Sequence, residues 1–567
     1  MSRREGDKAI GGGRRFFAAR RVPLAPPVLS DEATSTRSKH RQSQWHTRGG
    51  QAGIHHGGTE DTEIRRFHLR VFVVCLEAAI LSLTIFLAET RHCHADEASA
   101  LQTAAAMEKV FVEAIAHAEK SVVAIARVRR ELPEETVHQE LRPDPFARRW
   151  LPSVAPQPTD PNFMPNEYGA GVVIDRRGLI LTAYHVLGED SDYYVTTFDR
   201  RVYRAWVKAA DPRSDLAVLA LELSGGTAGA FTPLALGDAA ALRKGQIVLT
   251  LGNPYAIARD GQPSAGWGIV ANLARKAPPL PDESDPSGKR TLHHFGTLIQ
   301  TDAKLNLGAS GGPLVNLRGE MVGLCVALAD ATGYETSAGY AIPVDATFRR
   351  VLEVLKQGRE VEYGFLGVKP QNLDAQEILA GLHGARVDRI VPGTPAARFG
   401  LRSDDILTTV DGMPIYDADG LVLEVGRLPV ESVVHLGVLR SGQAHTLDVT
   451  LGKYPVRGKK IVSVRADAWR GIRVDYPSAY VEAELPLRGS GVFSDEAVVV
   501  AEVQPGTPAA KAGLKSGMFI SHVDGRPVHT PREFQTSVAG KGGAVQLRVA
   551  PGEQENSVLI VPPKTAN

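Results

Sequence analysis

Val391-Pro392-Gly393-Thr394-Pro395-Ala396-Ala397 recurs as Gln504-Pro505-Gly506-Thr507-Pro508-Ala509-Ala510. The match continues through Gly400-Leu401 and Gly513-Leu514 to Val410-Asp411-Gly412 and Val523-Asp524-Gly525. The offset stays constant, so the last third of the chain holds two copies of one module of about a hundred residues. Each copy reads as strand, turn, short helix at Pro-Ala-Ala, strand, Asp-Gly turn, helix and strand. Two copies are too few to stack into a solenoid, which leaves tandem domains.

The whole chain, at 567 residues, is too long for one core and predicts about three domains plus an N-terminal extension. Its 56 glycines and 36 prolines, with only 6% aromatic residues, suit β-rich domains with many tight turns. A net charge of +1 gives no electrostatic reason to expect nucleic acid as a partner. Cys75 and Cys93 lie in or beside the one strongly apolar run; if that run is removed, Cys325 stands alone and no intrachain disulfide forms. Its neighbours Val322-Gly323-Leu324 and Val326 make it a small core hydrophobe.

Residues 1–66 are rich in Arg, His, Gly and Ser without apolar periodicity and read as a disordered basic, low-complexity extension. In residues 67–95, basic Arg70 precedes an apolar run from Val71 to Ala88 that only Glu77 interrupts, and Cys93-His94-Ala95 offers small residues for cleavage after Ala95. This is an export signal or a membrane tether at 71–88, and either puts the rest of the chain outside the cytoplasm, in the periplasm or cell envelope. Ser99–Lys120 predicts a helix, Val122–Ile125 a strand, and 130–166 a long polar loop. Short apolar strands then continue to about Val344 at the spacing of an all-β barrel, and Phe348–Lys356 predicts a closing helix.

Three segments carry the chemistry. Leu181-Thr182-Ala183-Tyr184-His185-Val186, Ser214-Asp215-Leu216-Ala217 and Gly308-Ala309-Ser310-Gly311-Gly312 appear in that order. His, then Asp, then Ser is the chain order of a chymotrypsin-type triad. Ser310 among glycines is a candidate nucleophile, His185 its base, and Asp215 the group that fixes the imidazole tautomer. The backbone N–H groups of Gly308 and Ser310 are the candidate oxyanion donors. His293 and His294 have no comparable context and read as surface residues. No metal motif, and no phosphate loop followed by Lys-Ser/Thr, occurs, so neither ATP dependence nor any cofactor is expected.

From about residue 105 onward the chain resembles the HtrA/Deg family of trypsin-like serine proteases with C-terminal PDZ domains. The resemblance rests on Gly169-Ala170-Gly171-Val172-Val173-Ile174, Thr182–Val186, Ser214–Val218, Leu251-Gly252-Asn253-Pro254, Gly268-Ile269-Val270, Ile299–Ala303 and Gly339-Tyr340-Ala341-Ile342-Pro343. It implies a mainly β chain: a chymotrypsin-like double β-barrel protease domain over 99–355, then PDZ domains over 358–455 and 460–567. Asp144-Pro145-Phe146 resembles the family's regulatory loop. By matched position the specificity pocket is lined by Leu305, Ser337, Ala338, Gly339 and Tyr340; with Lys304 rather than an acid before Ser310, cleavage after small aliphatic residues is expected. A PDZ domain adds a peptide to a sheet edge and holds its C-terminal carboxylate in a backbone nest. The matching loops are Phe365-Leu366-Gly367-Val368 and Trp469-Arg470-Gly471-Ile472, with Arg470 at a usually apolar position. The family further implies unfolded or damaged polypeptides as substrates and assembly as a homo-trimer or higher multiple. Ala309 replaces the family's usual Asn, and Ala183-Tyr184 its usual Asn-rich pair. Two other readings remain open: a protease-inactive chaperone or PDZ adaptor, and a sensor with one dedicated substrate.

Overall fold

The computed structural model describes residues 61–130, 167–223, 231–253, 261–276, 291–306, 308–326, 339–392, 394–456, 459–480, 497–550 and 557–563. The expected disorder before residue 61, the loop over 131–166 with Asp144-Pro145-Phe146, the pocket residues Ser337 and Ala338, and 254–260 lie outside these. The chain divides into two units, residues 1–95 and 96–567. Helix α1, Asp61–Ala118, contains the described part of the first unit, where side chains from Arg70 to Thr84 are exposed. Among the described residues no helix is long and apolar enough to cross a membrane.

In the second unit Ala114 and Ala118 enter the core. Six strands follow: β1 Val122–Arg129, β2 Glu167–Asp175, β3 Leu179–Ala183, β4 Ser191–Thr196, β5 Val202–Asp211 and β6 Leu216–Leu221. They pair in the order β5-β4-β1-β2-β3-β6, and β5 also pairs with β6, which closes the sheet into a barrel. The uninterrupted apolar run of β6, Leu-Ala-Val-Leu-Ala-Leu, is buried along its whole length, as a strand packed on both faces requires. A second closed barrel, in the order β10-β11-β12-β9-β8-β7, comprises β7 Ile247–Gly252, β8 Ser264–Arg275, β9 Leu298–Thr301, β10 Pro313–Val315, β11 Met321–Val326 and β12 Gly339–Pro343. Cys325 is fully buried inside it, and that burial pushes its thiol up to about 12. Helix α2, Ala346–Lys356, starts on the Asp345 side chain, which accepts the Phe348 N–H, and buries Phe348, Val351, Leu352 and Leu355.

The first repeat contains β13 Gly364–Phe365, β14 Val368–Asn372, α3 Ala375–Leu379, β15 Ala385–Ile390, α4 Pro395–Arg398, β16 Ile406–Val410, β17 Met413–Pro414, α5 Ala418–Arg427, β18 Val433–Arg440, β19 Gln443–Thr450 and β20 Gly452–Lys453. After β21, Ile461–Val462, the second repeat follows the same plan: β22 Ile472–Asp475, β23 Val498–Val503, α6 Pro508–Lys511, β24 Phe519–Val523, β25 Arg526–Pro527, α7 Pro531–Val538, β26 Val545–Ala550 and β27 Ser557–Val561. The repeated Pro-Ala-Ala opens α4 and α6 with Pro at the first turn, where its missing N–H costs nothing.

The segment between the repeats is tied to the first barrel. β21 pairs antiparallel with β5 through Ile461↔Ala210 and Val462↔Ala209, and the Tyr184 hydroxyl donates to the Lys459 carbonyl at 3.1 Å. Lys453 is buried at the junction with Nζ 3.1 Å from Glu360, 3.2 Å from Glu362 and 3.0 Å from Asp475. Burial lowers its affinity for a proton, but the three carboxylates outweigh this and hold it charged. Removing one partner from a buried ionic cluster costs about 3–5 kcal/mol, whereas an exposed pair contributes little. Lys453→Met is therefore expected to lower the denaturation midpoint clearly. Lys459→Met, which breaks an exposed pair with Glu189, leaves it nearly unchanged. Calorimetry or urea titration of both variants checks this.

Candidate active site

The site begins with a turn. Asp211 ends β5, and its Oδ2 accepts the Ser214 N–H at 2.9 Å and the Ser214 hydroxyl at 2.6 Å. Asp and Pro at the first two positions of Asp211-Pro212-Arg213-Ser214 suit such a reversal. The chain leaves it through Asp215 at φ 54°, a left-handed conformation that Asp tolerates better than most residues. The Asp215 carboxylate then meets the short turn after β3. Its Oδ1 accepts the His185 N–H at 3.0 Å and its Oδ2 lies 2.7 Å from His185 Nδ1. The Asp215 carbonyl accepts the Tyr184 N–H at 2.9 Å. Two hydrogen bonds to His185 and one to Tyr184 thus hold the turn in place with the Nδ1 edge of the imidazole on the carboxylate.

Burial pulls the His185 pKa down, but the charge of Asp215 and its hydrogen bond win, so the net shift is upward. Burial lifts Asp215, and the imidazole outweighs it, so its net shift is downward. The His185 side chain remains 42% exposed and Asp215 only 7%. The open part of the pair is therefore the imidazole, where a proton acceptor is useful.

Ser310 comes from the loop before β10. The Ala309 N–H donates to the Asn306 carbonyl at 3.0 Å, and the Gly311 N–H to the Cys325 carbonyl at 2.9 Å. The Ser310 carbonyl accepts the Ala170 N–H at 2.9 Å, which fixes the loop to β2 of the other barrel. Glycine is required at two points. A Cβ on Gly311 (φ 83°) would stand 2.2 Å from the Ala170 carbonyl oxygen and 2.3 Å from Thr182 Oγ1; one on Gly308 (φ 89°) would stand 2.2 Å from the Asn253 carbonyl oxygen. Thr182 and Ala183 directly precede Tyr184 and His185, so the serine loop sits against the segment that carries the histidine. Leu305 and Gly339 also meet: a Cβ on Gly339 would lie 2.9 Å from Leu305 Cδ1. Tyr340 is half-buried beside them in sequence.

The histidines expected at the surface are not there. His293 and His294 are both buried, in a turn flanked by Leu292 and Phe295 that packs against the first barrel and α5. Burial, opposed by the Asp215 charge and reinforced by His294 and His185, brings His293 down to about 4. A neutral imidazole therefore lies within electrostatic reach of the His185–Asp215 pair. The apolar residues on both sides of the His-His pair are the sequence signal that pointed inward.

The two repeat loops differ. In the first, the Leu366 carbonyl accepts the Ala396 N–H at 2.8 Å and the Gly367 carbonyl accepts the Val391 N–H at 2.9 Å. This leaves a cavity of about 70 Å³ between Phe365-Leu366-Gly367-Val368 and α5. In the second, Trp469 and Ile472 exchange N–H···O=C bonds at 2.9 and 3.0 Å, so the loop closes on itself. The Arg470 guanidinium donates to the carbonyls of Val561, Pro562, Lys541 and Gly543. Arg470 is thus a brace between the loop and the end of the module.

Residues 169–324 match the trypsin-like peptidase domain, and residues 364–451 and 499–549 each match the PDZ domain. The periplasmic serine endoprotease DegP of Salmonella typhimurium is 30% identical over 400 residues, which cover 69% of this chain and 76% of that protein. A probable periplasmic serine endoprotease, DegP-like, of Pseudomonas fluorescens is 31% identical over 464 residues, 77% of this chain and 90% of that protein. A solved structure of the HtrA-type protease AlgW with a decapeptide aligns with 61% of this chain and 99% of its own, at TM-score 0.44 and 24% identity. Two β-barrels followed by paired PDZ modules define a serine protease of the trypsin-like class. The chain belongs to the HtrA/Deg family of serine endoproteases.

Histidine-detected NMR titration is expected to give a His185 midpoint above the ordinary 6.5 and a His293 midpoint of about 4. Asp215→Asn removes the charge that holds the His185 proton and should bring the His185 midpoint below its wild-type value. A wild-type midpoint below 6.5 would contradict the balance of burial and charge given above.

Proposed function

We propose that the chain is an exported serine endopeptidase that cleaves unfolded or damaged envelope polypeptides through His185, Asp215 and Ser310. The observation that carries this is the 2.7 Å contact between His185 Nδ1 and Asp215, formed where the serine loop packs on the strand leading to His185. Asp215 accepts a hydrogen bond from Nδ1–H, which stays on the ring and leaves Nε2 as the base. His185 takes the Ser310 hydroxyl proton as Oγ attacks the peptide carbonyl carbon. The N–H groups of Gly308 and Ser310 receive the oxyanion. The imidazolium then gives its proton to the departing amine, the acyl-enzyme remains, and His185 deprotonates the water that hydrolyses it.

The pocket formed by Leu305, Ser337, Ala338, Gly339 and Tyr340 takes a small aliphatic side chain. The protease domain occupies 99–355 and the PDZ domains 358–455 and 460–567, the first of which binds the C-termini of substrates or activators. Residues 67–95 direct export, in keeping with the periplasmic relatives, and the working assembly is a homo-trimer or a multiple of it.

Casein hydrolysis by the chain from residue 96 onward, beside Ser310→Ala, tests the reading. The parent is expected to cleave after small aliphatic residues, and Ser310→Ala to lose on the order of 10⁴–10⁶-fold in turnover. Because only neutral His185 is a base and its pKa is raised, kcat/KM should fall on the acid side with a midpoint above 6.5. Equal cleavage by parent and variant, or none by either with an apolar C-terminal peptide added, would remove the enzymatic reading of this triad.

A further inference from the structure

Arg213 belongs to the protease domain by sequence and to the first PDZ domain by its surroundings. It stands two residues before Asp215, yet its side chain crosses to the other domain and is buried. The guanidinium carbon lies 3.5 Å from the centroid of the Tyr454 ring and 5.2 Å from that of Tyr363. Helix α5 accommodates it at Gly426, where a Cβ would stand 2.5 Å from Arg213 Nη2. Gly426 stands in the last turn of α5, and its lack of a side chain leaves room for the guanidinium.

Arg213 lines the first PDZ cavity together with Gly364, Leu366, Gly367, Leu421 and Val425. Its Nε and Nη2 are buried without a hydrogen-bond partner. Among the described residues no carboxylate lies within 4.0 Å of it. Asp211, the acid whose charge it shares, has committed Oδ2 to Ser214 and Tyr363, while its Oδ1 is buried without a hydrogen-bond partner and without reaching Arg213. Arg213 thus has an acid within electrostatic reach but no hydrogen-bond partner for Nε and Nη2, and aromatic faces offset only part of the cost of burying a guanidinium. Arg470 of the second PDZ domain is the opposite case, with its guanidinium spent on four carbonyls of its own module.

We propose that Arg213 is a ligand-binding residue of the first PDZ groove, supplied by the protease domain to take the C-terminal carboxylate of a bound peptide. The proposal rests on the reading of that groove as a C-terminus binder. A peptide extending the sheet along β14 brings its terminus to the Gly364–Val368 loop, where Arg213 opens on the same cavity. The planar fork of a guanidinium matches a carboxylate with two parallel hydrogen bonds. Leu421 and Val425 receive the apolar last side chain. The site is therefore composite: the PDZ domain supplies the groove and backbone, and the protease domain supplies the cation.

The test uses the full chain carrying Ser310→Ala, so that no probe is digested. The probe is a fluorescein-labelled decapeptide ending in Leu-Val, as the free acid and as the C-terminal amide, with Kd read by anisotropy. The parent is expected to bind the acid more tightly than the amide. Arg213→Gln should bind the amide as the parent does and the acid at least about tenfold more weakly, as for a lost charge-assisted pair. Arg213→Lys, which keeps the charge without the fork, should fall between. Unchanged acid affinity in Arg213→Gln overturns the proposal and leaves the groove reading standing. Equal loss of acid and amide binding also overturns it, since Arg213 would then only keep the groove in shape. No binding of either probe by the parent removes the groove reading and the proposal with it.

Discussion

The carboxylate of Asp211 holds this structure together at the point where its chemistry begins. One of its oxygens receives the Ser214 N–H, the Ser214 hydroxyl and the Tyr363 hydroxyl. The first two bonds set the turn that delivers Asp215 in its left-handed conformation, and the third reaches a residue from beyond the end of the protease domain. Burial raises the pKa of Asp211, opposed by these same hydrogen bonds, and it raises Tyr363 well above the phenolic range. All three bonds fall on Oδ2, while Oδ1 is buried without a hydrogen-bond partner, so the loss of any one of them leaves the carboxylate still less satisfied. The turn that delivers Asp215 is thereby tied to Tyr363, just before the segment that matches the PDZ domain.

What was legible in the sequence was whatever a short segment determines. The Pro-Ala-Ala and Asp-Gly elements gave the repeat because capping and turn chemistry act over a few residues. His185, Asp215 and Ser310 could be picked out because each lies in a segment whose local form serves it: the turn after β3, the Asp-Pro turn, and a glycine loop into which no Cβ fits. The pairing Asp211–Tyr363, the burial of His293 and the reach of Arg213 were not legible. Each joins residues far apart in sequence, and no periodicity encodes such a meeting. Arg470 shows the limit from the other side. Its substitution for an apolar residue was visible, but its purpose, bonding the carbonyls of Val561 and Pro562, lies some ninety residues further along the chain.

The segment joining the two PDZ domains carries a constraint of its own. The end of β5 that runs past its pairing with β4 would otherwise present one free edge beside the site, and free edges invite foreign strands. β21 covers that edge at Ala209 and Ala210, directly before Asp211. Tyr184, directly before His185, donates its hydroxyl to Lys459 in the same segment. The bulk of Tyr184, where the family usually has a smaller polar residue, thus has a structural use. It binds the turn of His185 to the linker.

These contacts converge on five consecutive residues. Asp211 ties the turn to Tyr363, Pro212 bends it, Arg213 enters the PDZ groove, Ser214 closes the turn and Asp215 holds His185. Protein interiors are close-packed, so one residue of such a turn does not move far without its neighbours. The charge of Arg213 is carried by the turn and not by the PDZ module whose cavity it lines. Placed in the turn, it lies one peptide unit from Ser214 and two from Asp215. The covalent proximity of these groups, more than any single contact, ties the first PDZ module to the turn that carries Asp215.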